Sequence, residues 1–220
     1  MKKTIKGLHP SFPHSLGQVR AFFIIAVLLC GVLSATELFG QSAPVDLGFA
    51  LSNGLVSLSV SGNGYCSGHS VEGTITNHTS TSISINVNIT DGLYLVNSGR
   101  GQNMLATRIF LSGLRYIERD RFIPIEPGVS VGIVIEAYCA DFDKDNPTSS
   151  ERFRFSVKPV ALASISAKIG RYSAVNFNAD LTAPIQLALW REQGKSWQEI
   201  ANKFEFTSVD WEIATQIMNF

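Results

Sequence analysis

The chain has 220 residues, of which 45% are hydrophobic and 16% charged, and its 18 basic and 18 acidic side chains cancel. That balance excludes a partner held by bulk charge, whether nucleic acid or an anionic lipid surface. The length suits one sizeable core, or one domain with a small appendage.

Lys2, Lys3, Lys6 and Arg20 precede the apolar run from Ala21 to Ala35, and no acid stands among the first twenty residues. Basic then apolar is the order of a signal peptide. The run is shorter than the roughly 20 apolar residues a bilayer-spanning helix needs, and Glu37 closes it. Residues 1–42 are therefore expected to be a removable leader, with cleavage between residues 35 and 43, after Ala35 or Ser42. An exported protein follows, placed in the periplasm, on the cell surface or secreted, with no stable membrane insertion once the leader is gone. Losing four of the 18 bases and one of the 18 acids leaves 14 against 17. Cys30 leaves too, so Cys66 and Cys139 remain as an even pair in an oxidising compartment, where a disulfide between them is expected.

Residues 46–159 alternate in short runs of Val, Ile, Thr, Ser, Phe and Tyr broken by Gly, Asn and Pro. This period-two texture predicts strands near Leu55–Val60, Val71–Thr76, Ile83–Ile89, Leu93–Val96, Met104–Leu111, Arg121–Ile125, Val129–Tyr138 and Arg152–Val157. The polar segment Asn77–Ser80 reads as the turn of a hairpin joining the second and third of these, and Pro127-Gly128 as another turn. Strands at this spacing predict a mainly β fold, an antiparallel immunoglobulin-like β-sandwich. Gly73-Thr74-Ile75-Thr76-Asn77 also resembles the Gly-x-apolar-x-Asn strand of bacterial exported immunoglobulin-like modules.

Residues 160–220 form the expected small C-terminal helical segment. Thr182-Ala183-Pro184 starts a helix that stops at Gly194; Ser196 and Glu199 make a capping box for a second; Thr207-Ser208 cap a third, along which Val209, Ile213 and Ile217 recur. The last two resemble a helix-turn-helix, but the third carries Asp210 and Glu212 and no base, which argues against DNA.

Two segments carry candidate chemistry. Ala137-Tyr138-Cys139-Ala140-Asp141 and Ile185-Gln186-Leu187-Ala188-Leu189-Trp190 resemble the two signature motifs of bacterial surface thioester domains. The resemblance implies a covalent adhesin: the Cys139 thiol joins the Gln186 carboxamide in an internal thioester that an amine on a host molecule opens, with Tyr138 and Trp190 shielding the bond from water. Cys139 thus has two candidate partners, Cys66 and Gln186. In Asp141-Phe142-Asp143-Lys144-Asp145-Asn146 the alternate carboxylates of Asp141, Asp143 and Asp145 either converge on calcium or form a solvated acidic turn. Asn146 stands where the calcium loop has glycine, and Glu151 falls one position short of the closing glutamate.

His69 and His78 are the histidines beyond the leader, and the sequence contains no Gly-x-Ser-x-Gly, HExxH or phosphate loop. The expected function is a non-enzymatic binding or structural module whose partner is a protein or surface ligand, with the thioester adhesin and a calcium-stabilised domain as alternatives. No cofactor other than calcium is expected.

Overall fold

In a computed structural model the described residues are 43–113 and 121–220. The leader and its cleavage site lie outside them. Eight strands are seen: β1 (Val56–Gly62), β2 (His69–Asn77), β3 (Ile83–Asn86), β4 (Asn88–Asn97), β5 (Met104–Leu111), β6 (Phe122–Ile125), β7 (Ser130–Cys139) and β8 (Arg152–Ser156). The helices are α1 (Leu47–Ser52), α2 (Val160–Val175), α3 (Thr182–Glu192), α4 (Trp197–Ala201) and α5 (Ser208–Asn219). The described residues form one compact unit.

Six strands close into an antiparallel barrel in the order β1-β2-β7-β5-β4-β8, and β3 pairs with β6 in a separate two-stranded sheet. The expected immunoglobulin-like sandwich is therefore wrong, and the protein is a mixed α/β structure built on a barrel. The difference lies in β4 and β8. β4 pairs with β5 on one flank and with β8 on the other, and β8 returns to β1 through Val60 opposite Phe153 and Ser61 opposite Arg152. Alternation shows that a strand buries one face, but it is identical in a sandwich and a closed barrel, so it cannot report closure.

The expected hairpin is also corrected. β2 pairs with β1 and β7, whereas β3 leaves the barrel for β6. Asn77 explains the departure: its side-chain amide donates to the carbonyls of Thr81 and Ile125, both at 2.9 Å, and so ties the turn to the end of β6. The edges of this small sheet are blunted. Val45 bonds Ser84 and Asn86 on one side of β3, and β6 carries Pro124, which has no N–H to offer.

Two helices escaped the sequence reading. α1 is one short element capped by Asp46, whose carboxylate accepts from the N–H groups of Gly48 at 2.8 Å and Phe49 at 3.2 Å. α2 carries three Ser, Gly170 and four β-branched residues, weaker helix formers than the four Ala beside them, so its propensity is mixed. Packing forms it: Leu162, Ile165 and Ile169 are buried, and a β-carbon added at Gly170 would overlap the Thr90 carbonyl oxygen on β4. α3 is buried from Pro184 to Trp190, and α5 lies against it and α2. Both capping boxes, Ser196 with Glu199 and Thr207 with Asp210, are formed. No helix of the described residues is long and apolar enough to cross a membrane.

Candidate functional site

Cys139 ends β7, where it stands opposite Met104 of β5, and Gln186 lies one turn into α3. Both are fully buried. The Gln186 carboxamide meets the backbone of Cys139 at both polar groups: its Oε1 accepts from the Cys139 N–H at 2.9 Å, and its Nε2 donates to the Cys139 carbonyl at 3.0 Å. It occupies the place a peptide group of a further strand would take. The Cys139 N–H is shared with the Cys66 carbonyl, also at 2.9 Å. Residues 66, 139 and 186, distant in sequence, thus meet at one point.

No disulfide joins Cys66 and Cys139 in this structure, and the two thiols act on each other's acidity. The bond from the Cys139 thiol is the chief reason the Cys66 thiol is pulled down to about 6; burial opposes the shift and the Ser67 hydroxyl assists it. Burial, and then Cys66 itself, pushes the Cys139 thiol up. The two shifts run in opposite directions, so Cys66 is the more acidic thiol of the pair. The Cys139 sulfur also lies 3.7 Å from Met104 Sδ.

The two aromatic residues of the thioester resemblance take different places. Trp190, four residues after Gln186 on the same helix face, is buried and packs edge-on against Phe142 at 5.0 Å and Phe204 at 5.8 Å. Tyr138 does not cover the thiol, because adjacent strand residues point to opposite faces, and its hydroxyl donates to Glu136 instead. Burial and the Glu136 charge push that hydroxyl's pKa well up.

The acidic segment does not converge. Asp141 accepts from the backbone and side-chain amides of Asn103, at 3.0 and 2.8 Å, and from Lys144 at 2.8 Å. Asp143 pairs with Lys195 at 2.9 Å, and Asp145 is exposed. Among the described residues no group of three metal-ligating side chains comes together, so these carboxylates as placed do not fit calcium. Glu151 instead accepts from the N–H groups of Arg100 at 2.9 Å, Gly101 at 3.1 Å and Thr148 at 2.9 Å, and from the Asn97 amide at 3.1 Å. Those bonds hold its carboxyl down at about 2.

A polar row that the sequence reading missed crosses the barrel wall. Asn88, Arg108, Glu136 and His69 stand side by side on β4, β5, β7 and β2. Arg108 and Glu136 are nearly buried and 3.8 Å apart. Arg108, Glu136 and His69 of this row line a cavity of about 510 Å³ together with the segments around Tyr65–Gly68 and Phe177–Thr182. The available signal was a charge in the middle of each of two otherwise apolar strands. His78, by contrast, bonds the Ser57 hydroxyl at 2.7 Å at the surface.

Comparison of the chain with protein families, with curated proteins and with solved structures finds no match.

Proposed function

We propose that the chain is an exported, non-enzymatic binding module that can hold its partner covalently, through a thioester between Cys139 and Gln186. The observation that carries the reading is the docking of the Gln186 carboxamide onto Cys139, a contact between two motifs singled out by sequence pattern alone. In the reaction the Cys139 sulfur attacks the carboxamide carbon, the thiol proton passes to the departing nitrogen, and ammonia leaves. A partner's amine then attacks the thioester carbonyl, the Cys139 thiolate departs and takes up the amine proton, and an amide to Gln186 remains. Export rests on the basic-then-apolar leader.

A second reading has its own support in the hydrogen bond between the two thiols. Thiol–disulfide exchange with a disulfide oxidant of the exported compartment, which takes up the two electrons and two protons, gives a Cys66–Cys139 disulfide, and the module then binds without a covalent bond.

Intact-mass measurement of the exported protein, with and without reductant, separates the two. The thioester predicts a deficit of one ammonia, unaffected by reductant, consumed by methylamine and lost in Gln186→Ala. A deficit of two hydrogens that reductant restores would establish the disulfide and remove the covalent reading.

A further inference from the structure

The cavity over the polar row does not depend on either sulfur chemistry. Three neighbouring strands lose their regular register where they cross it: β2 between His69 and Val71, β5 between Ala106 and Arg108, and β4 between Asn88 and Leu93. Such bulges re-aim side chains and gather beside binding sites. The polar groups they present are under-used. Arg108 is 5% exposed, its Nε has no partner, and its one bond to a carbonyl, that of Ser173, is 3.4 Å long. The Ser173 hydroxyl and the Asn88 side-chain Oδ1, outside the cavity lining, are also buried without partners, so Arg108 is the group that can reach a ligand. A buried guanidinium in this condition calls for an acceptor from outside the chain.

From these observations we propose that the cavity is a binding site for a neutral saccharide. The charge selects against ions. Glu136 offsets Arg108, and Asp180 leaves the site one negative charge in excess, so a carboxylate or phosphate meets repulsion. An ammonium ion faces the Arg108 guanidinium. Sugar hydroxyls, which donate and accept, suit a site that mixes a guanidinium, two carboxylates and the Ser67 hydroxyl. The apolar face of a pyranose needs a flat partner, and two rings line the site: Phe177, whose ring lies 5.1 Å from the Arg108 guanidinium carbon, and Tyr65, which is 68% exposed. The volume lies in the range of small-molecule sites.

Saturation-transfer NMR on the exported chain tests the proposal. The probes are the methyl glycosides of glucose, galactose, mannose and N-acetylglucosamine with their disaccharides, against sodium glucuronate and lysine. At least one neutral glycoside should bind at millimolar concentration, with the strongest transfer at ring C–H protons. Its affinity should fall at least about tenfold in Tyr65→Ala and in Asp180→Asn, a loss of the size one stacking or charge-assisted contact supplies. Both positions are exposed, and melting curves matching the unsubstituted protein establish that each variant is folded. The proposal is overturned if no neutral glycoside binds, if glucuronate or lysine binds in preference, or if sugar binding survives both cavity substitutions.

Discussion

Glu151 gathers four hydrogen bonds at the rim of the barrel, three of them from backbone N–H groups, and its ionised form is the one they favour. A carboxyl held at about 2 in the folded chain and near 4.5 when unfolded contributes stability that is fully present above pH 4.5. That contribution is lost as the pH falls towards about 2. Thermal melts of Glu151→Gln against the unsubstituted protein should differ at neutral pH, converge through that window and coincide at its lower end. A constant difference across the window would show that the hydrogen bonds act without the charge. The loop's glycines belong to the same device, since a β-carbon at Gly99 or Gly101 would strike this carboxylate. None of this was legible in the sequence, where Glu151 appeared only as a misplaced calcium ligand. Cys139 and Gln186 were legible because each sits in a short pattern of its own. Arg108 and Glu136 were not, because their meaning depends on the register between two strands.

At the level of elements, local period and capping located nearly every strand and the last three helices, because these signals lie within a few residues of one another. Pairing partners lay beyond their reach: nothing between Asn77 and Ser82 states that the next strand joins β6 rather than β2. α2 shows the same limit from the other side. Its sequence is of mixed helix propensity with no side-chain cap at its start, and packing on β4 holds it. Gly170 isolates that contribution. In an exposed helix Gly→Ala stabilises by about 1 kcal/mol. Here the added methyl would overlap the Thr90 carbonyl, and overpacking of this kind costs about 1–3 kcal/mol. Urea unfolding of Gly170→Ala should therefore show a net loss of stability. A gain would mean that α2 is not held against β4 as closely as this contact indicates.

The sandwich was expected because the strands read correctly, and the error entered at the largest scale, where closure is decided by which edges meet. In the C-terminal helical segment Leu162, Ile165, Ile169, Ile185, Leu189, Trp190 and Ile217 lie in the same buried core as the strands. A chain ending at Pro159 loses that cover, and with it the Gln186 bonds to the end of β7. It should fail to give a cooperative melting transition, whereas a separable appendage would leave the melting of the strands unchanged. Closure has a further outcome wherever copies of the chain are crowded together. Strand-by-strand polymerisation needs a row of unpaired backbone groups as its template, and the barrel seam, Val45 and Pro124 withhold one among the described residues. Neighbouring copies packed side by side must then recognise one another through side chains rather than by adding strand to strand.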